Sequence, residues 1–372
     1  DMPLDKGFDY FYGIPASLNY GVLAWFEGRH AKVPPTVFTA KKPNKRHVDY
    51  RIMPPYQNSP AETRKVVGTL GMEVAPDFID NQCLTRFTDK AIEWMSRKTV
   101  AAKDGKPFFV YLPYTSPHYP VCPLPEFHGK GDCGGYGEFV IETDHHVGRI
   151  LDFLKKSGLD ENTMIVFSSD NGPENSWRQR IDDFGHRSNG PYRGGKRDIY
   201  EGGHRVPFFV RWPGGISAPG RAFSGLVCQT DLLATFATIT GATLPDDAGE
   251  DSLSFATVLR NPLSNWSRLP IISHAANGQF SITSGTKKLV MPHRKSKGEL
   301  YDLSSDPGET KNLTNELPEV GFALMQQLTD IVCNGRTTSG AKQPNDTGYW
   351  SDLTWLSEAR YNQLTEDSAS DN

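Results

Sequence analysis

The chain has 372 residues, 37% hydrophobic and 23% charged, with 40 Lys and Arg against 44 Asp and Glu. A formal net charge of −4 excludes a general nucleic-acid binder, whose basic surface would show in the totals. No apolar run reaches the ~20 residues a membrane-spanning helix needs.

That length accommodates one large α/β domain and a smaller one. The 35 Gly and 27 Pro imply many turns and long shaped loops. Five cysteines without a C-x-x-C pair exclude zinc-ribbon and thioredoxin readings, while Cys122 and Cys133 are close enough in sequence to bridge one loop. Sequons at Asn265, Asn312 and Asn345 permit an extracellular or lumenal setting.

The opening, Asp1-Met2-Pro3-Leu4-Asp5, is neither a signal peptide nor a natural initiator, so the chain reads as starting inside a longer one. Residues 7–22 alternate aromatics with Gly and Pro, which predicts a structured loop. Residues 26–62 are loop-rich, and Lys41, Lys42, Lys45 and Arg46 read as a solvated surface cluster. A helix is predicted over about 77–98, with Leu84, Phe87, Ala91 and Trp94 on one face. Phe108 to Leu112 reads as a buried strand, and the prolines after it leave His118 on a loop at the strand's carboxyl end. A second helix is predicted near 137–157, ended by Gly158, with His145 and His146 as surface or second-layer residues.

Met164 to Phe167 predicts a strand buried on both faces, as in a parallel sheet. Asp170-Asn171 follows at its carboxyl end, where open α/β sheets place ligands. A carboxylate beside an amide carbonyl offers two hard oxygens suited to calcium or magnesium, although Asp-Asn-Gly is also turn chemistry. Strand, helix, strand is a βαβ unit and would put His118 and Asp170-Asn171 on one sheet edge. Residues 175–205 form a polar loop, 206–212 a strand, and 230–240 a helix with Thr230 as N-cap. The pattern loosens near 255–268, giving an expected division into 1–262 and 263–372. The second part reads as strands at 280–284, 287–291 and 299–303, then a helix carrying Leu324, Met325, Leu328 and Ile331, with residues 357–372 frayed.

Five blocks together resemble the type I sulfatases. They are Gly7-Phe8-Asp9 through Ser17, Pro107-Phe108-Phe109 through His118-Tyr119-Pro120, Ser169-Asp170-Asn171-Gly172-Pro173-Glu174, Arg193-Gly194-Gly195-Lys196 through Gly203, and Leu300-Tyr301-Asp302-Leu303 with Asp306-Pro307-Gly308-Glu309. The resemblance implies an alkaline-phosphatase-like α/β fold, with a large mixed, mainly parallel sheet flanked by helices and a smaller C-terminal α+β domain. It implies hydrolysis of aryl or carbohydrate sulfate monoesters with one calcium ion, magnesium being the lesser candidate. Asp170 and Asn171 match metal ligands, and Lys196 matches the lysine on a sulfate oxygen. His118 matches the histidine that protonates the departing alcohol, and Ser17 a hydroxyl near the sulfate.

The family attacks with a formylglycine made by a formylglycine-generating or sulfatase-maturing enzyme from a Cys/Ser-x-Pro-x-Arg motif. That motif, an upstream Asp-Asp pair and a Lys-Trp-His segment are not in their expected places. The literal match Ser217-Ala218-Pro219-Gly220-Arg221 falls on an ordinary surface connection of the family. The resemblance therefore implies an inactive and poorly stable fragment, one that positions a sulfate ester without attacking it. Two alternatives stay open: a two-zinc phosphatase or phosphodiesterase on the same fold, and a non-enzymatic binder of sulfated glycans. Family analogy suggests a secreted, periplasmic or lysosomal setting.

Overall fold

The computed structural model describes residues 2–15, 17–18, 22–40, 58–60, 71–261 and 264–366. The basic cluster at 41–46 lies outside them. The chain divides into two compact units, residues 1–163 with 176–186, and residues 164–175 with 187–372. This division falls elsewhere than the expected one after residue 262. The physical reason is a ladder and a glycine lock, described below, that tie residues 164–175 to residues 187–211.

In the first unit, β1 (Tyr12–Gly13), β2 (Phe26–Glu27) and β3 (His30–Ala31) form one small antiparallel sheet. The strands β4 (Val37–Ala40), β5 (Asn58–Pro60) and β6 (Gly71–Val74) form another. Trp25, Phe78, Leu84, Phe87, Val121 and Phe139 share one buried cluster, with Trp25 and Phe78 ring centroids 4.6 Å apart. Both predicted helices are present, as α1 (Cys83–Lys103) and α2 (Gly134–Ser157). Gly158 ends α2 in the left-handed conformation at φ 70°, and Leu159 N donates to Leu154 O. His145 is exposed as expected, but His146 is 2% exposed. Its ring lies 3.5 Å from Thr85 of α1 and 3.7 Å from the buried Glu142, so it packs between the helices. Helix α3 (Trp177–Phe184) completes this unit.

Residues 108–112 pair with no strand among the described residues. Phe108, Val110 and Leu112 are half-buried while Phe109 and Tyr111 are 59% and 68% exposed. The expected buried strand needs a neighbour on each edge, and without one the segment shows period-two burial on a single face.

In the second unit, β7 (Ile165–Ser168) pairs antiparallel with β8 (Phe208–Arg211). One face packs Phe208 and Val210 on Phe255, Val258 and Leu259, whereas Phe167 and Phe209, directly paired, are exposed. β7 is therefore not buried on both faces. Parallel pairing among the described residues is confined to the bridge Leu23–Val74, so the expected βαβ ladder is not among them.

Helix α4 (Glu201–His204) precedes β8, and α5 (Asp231–Thr240) and α6 (Ala256–Arg260) follow it. Thr230 makes no capping hydrogen bond; the buried Asp231 carboxylate instead accepts from Cys228 N and Leu253 N and pairs with Arg268. Then β9 (Ile271–His274), β10 (Phe280–Ser284), β11 (Lys287–Val290) and β12 (Glu299–Asp302) form a four-stranded antiparallel sheet. Its core includes Ile282, Leu289 and Leu300, with Leu324 and Leu328 from α7 (Pro318–Asn334). The expected frayed end is instead helical over α8 (Glu358–Glu366), because Tyr361 is buried against Tyr349; residues 367–372 lie outside the described residues. None of the five cysteines is in a disulfide, so Cys122 and Cys133 form no bridge.

Candidate active site

Past the end of β7, Gly172 donates its N–H to Gly203 O at 3.0 Å, and Lys196 N–H donates to Pro173 O at 2.8 Å. Residues 171–174 and 194–203 are thus two loops in backbone contact. Glycines make the contact sterically possible. A Cβ on Gly172 would overlap the Gly202 carbonyl, 2.8 Å from its carbon, and one on Gly203 would lie 2.5 Å from Asp198 O. Outside this seam Arg197 holds Glu174 in a two-point ion pair at 2.6 and 2.7 Å, which keeps the Glu174 carboxyl at about 2.

Asp170 is exposed, and none of the described residues donates to its carboxylate. Asn171 Nδ2 donates to Gly172 O at 3.0 Å, which leaves Oδ1 as its uncommitted oxygen. One carboxylate and one carbonyl oxygen suit calcium, which takes six to eight oxygens, so these two residues fit as part of a ligand set. No group of three or more His, Cys, Asp and Glu that could hold a metal occurs among the described residues. Lys196 is half-buried on the interlocked loop.

That loop is anchored from behind. Lys288, 1% exposed on β11, pairs at 2.9 Å with both Glu201 of α4 and the fully buried Glu309. Glu309 also accepts from Glu201 N at 2.7 Å. Burial pushes the Glu309 carboxyl above the usual range, with Lys288 opposing the shift. Arg193 stacks on Tyr200 at 3.6 Å and donates to Tyr301 OH at 2.9 Å and Glu309 O at 3.2 Å. Burial, then the hydrogen bond to Glu299, pushes Tyr200 up to about 12. Sequence reading missed Glu201, Lys288 and Arg193 as a group. The one signal was a lysine set in the apolar run Lys288-Leu289-Val290-Met291 of a predicted strand, a buried cation that demands carboxylates.

Ser17 and His118 belong to the first unit, whereas Asp170, Asn171 and Lys196 belong to the second. The structure brings the last three onto two interlocked loops. Ser17 is half-buried beside Leu18, in the cluster that also takes Tyr119 and Val121. His118 Nδ1 lies 2.7 Å from Tyr119 O, and because a carbonyl only accepts, Nδ1 carries the proton and Nε2 the lone pair of the neutral ring. Ser217 is exposed on a bend after β8; the next helix, α5, begins at Asp231, so no helix N-terminus holds it as a nucleophile.

The sequence matches the sulfatase family over residues 5–242 and the C-terminal family of N-sulphoglucosamine sulphohydrolase over residues 194–333. An N-acetylgalactosamine-6-O-sulfatase of Bacteroides thetaiotaomicron is 31% identical over 256 residues, covering 63% of this chain and 49% of that protein. Human arylsulfatase A is 28% identical over 372 aligned residues, covering 92% of this chain and 68% of that one. The chain therefore spans about half the length of the bacterial relative. A solved structure from work on glycosaminoglycan metabolism by Bacteroides thetaiotaomicron superimposes with a TM-score of 0.71 at 27% identity, covering 87% of this chain and 72% of that one. A second, in complex with a neocarrahexaose, gives 0.64 at 21% identity over 98% of this chain and 74% of its own, a likeness of fold alone. These neighbours carry the alkaline-phosphatase-like α/β class expected from the sequence. With the family match covering well over half of its residues, this chain belongs to the sulfatase family.

Proposed function

We propose that the protein hydrolyses sulfate monoesters, with carbohydrate sulfates the favoured class, using one calcium ion held in part by Asp170 and Asn171. The observation that carries this reading is the backbone interlock of the Asp170-Asn171 turn with the Lys196 loop, through Gly172 N to Gly203 O and Lys196 N to Pro173 O. It joins the backbones of the loops that carry two hard oxygens and an ammonium, which supports a site for an anionic tetrahedral group and a hard cation. When bound, the ion supplies Lewis-acid polarisation of a sulfate oxygen. Lys196 compensates charge on a second oxygen, and the Ser17 hydroxyl contributes a further contact. His118, with Nδ1–H committed to Tyr119 O, has Nε2 as its second nitrogen; once that nitrogen takes up a proton, the imidazolium can pass it to the departing alcohol and return to the neutral Nδ1–H ring.

A formylglycine, the nucleophile that family membership implies, would supply the attack on sulfur, and a sulfatase-maturing enzyme would then be a processing partner; none of the residues named above would carry it. The carbohydrate preference rests on the bacterial relative, named for N-acetylgalactosamine 6-sulfate. Calorimetric titration of the chain with calcium and then with inorganic sulfate tests the reading. Calcium uptake weakened at least tenfold in D170N, and sulfate binding weakened to the same degree in K196A, are expected. Preferential uptake of two zinc ions and of phosphate would favour the phosphatase alternative and end the proposal.

A further inference from the structure

The hairpin between β9 and β10 reaches the Lys196 loop, because Ala276 N–H donates to Arg197 O at 3.2 Å. His274, the last residue of β9, stands two residues before Ala276 in the chain and has an exposed imidazole. It packs against Phe280 at 4.6 Å and Trp350 at 4.7 Å between ring centroids. Phe280 is buried and meets Trp350 edge-on, at 5.5 Å and 77°. Trp350 is thereby fixed while remaining 43% exposed.

Polar groups rim this ring. Asn277 Oδ1 accepts from Gln279 N at 3.0 Å, which leaves Nδ2 of this exposed side chain uncommitted. The Asp352 carboxylate lies against Gly278, at φ 92°, so closely that no Cβ fits there. No described residue donates to that carboxylate. A fixed aromatic face flanked by an exposed amide and an uncommitted carboxylate has the chemistry of a sugar subsite. The ring packs on C–H groups, and the rim meets hydroxyls. One indole is far smaller than the ~800 Å² per partner of a protein interface, but it matches a single pyranose ring.

We infer that His274, Asn277, Trp350 and Asp352 form a saccharide subsite, which takes the sugar ring next to the one whose sulfate lies at Lys196. The inference rests on the proposed function for the position of the sulfate, and on the Ala276–Arg197 contact for continuity.

The test titrates wild type, W350A, H274A, W350F and K196A with a chondroitin 6-sulfate tetrasaccharide and, separately, with inorganic sulfate. W350A and H274A are expected to bind the tetrasaccharide about three- to tenfold more weakly, with inorganic sulfate unchanged and W350F close to wild type. Thermal melts check that the variants stay folded. Tetrasaccharide affinity in W350A equal to wild type, or no tetrasaccharide binding by wild type, overturns the subsite. Failure of the parent reading is seen separately, as inorganic sulfate binding that K196A leaves intact. The ratio of W350A to wild type on the tetrasaccharide decides the subsite in either case.

Discussion

Substituting Gly172 by alanine tests the glycine seam directly. The added Cβ would overlap the Gly202 carbonyl, 2.8 Å from its carbon and 3.1 Å from Gly203 Cα. All of these are backbone atoms, so no rotamer change relieves the clash. Nor can residues 202 and 203 retreat freely, since they sit against Arg193 O, Gly194 and Gly195 O with equally little room. The loops must separate, which costs ~1–3 kcal/mol in overpacking strain. The Gly172 N to Gly203 O bond adds ~0.5–1.5 kcal/mol. At ~2–4 °C per kcal/mol for a unit of this size, a fall in Tm of about 3–18 °C follows. The control is G148A, within α2, where an added Cβ meets nothing within 4 Å. There helix propensity predicts a gain of up to ~1 kcal/mol. Differential scanning calorimetry of the full chain, with calcium titrations on both variants, reads the outcome. A G172A protein melting within 2 °C of wild type with unchanged calcium affinity would refute the claim that the two loops are locked by backbone contact.

Three further predictions use the same contacts. K288M should lose ~3–5 kcal/mol, because it strands Glu201 and the buried Glu309 without their cation. With the Glu309 carboxyl raised above its ordinary 4.5, the variant's deficit should grow as pH rises from that value. A deficit in urea melts that is equal at pH 5 and pH 8 contradicts this. Glu174, held at about 2 by Arg197, stabilises the fold fully above 4.5 and loses that contribution as pH falls towards 2. The pair is solvent-exposed, so E174Q should cost no more than ~1 kcal/mol at pH 7 and only a small part of that at pH 2; a difference as large at pH 2 as at pH 7 argues against the ion pair as its source. Finally, neutral His118 should be the Nδ1–H tautomer, and an imidazole nitrogen NMR spectrum showing Nε2–H instead would remove the basis for its orientation.

Local periodicity made both long helices legible. Leu84 and Phe87 on one, and Leu154 with the αL Gly158 on the other, carry their own signals. The C-terminal strands were equally plain, because each hairpin is short and its pairing follows from neighbouring sequence. Burial failed to follow for Phe108–Leu112 and Ile165–Ser168. An apolar run of four or five residues reports preference for a strand, but the number of faces covered is set by distant segments. Phe109, Tyr111, Phe167 and Phe209 are exposed for that reason. Residues 358–366 were misread in the opposite direction: a polar stretch became helical because one side chain, Tyr361, found a buried place against Tyr349.

The site shows the same split between local and long-range information. Asp170, Asn171 and Lys196 could be named because they sit in short motifs with turn-forming glycines. What holds those motifs could not, since Lys288 meets Glu201 across 87 residues of sequence and Glu201 N meets Glu309 across 108. A buried lysine between two carboxylates is weak evidence for added stability, because desolvation offsets most of the attraction. Its value is geometric. Removing it leaves charges with nowhere to go, so α4 has one position in which its ions are satisfied, and Gly202 and Gly203 ride on that position. The glycine seam then transmits it to residues 171–174 without side chains that could yield. The closing segment of the chain thus sets the location of loops a hundred residues earlier, and the short spacing between motifs in the sequence understates how much of the second unit the site requires.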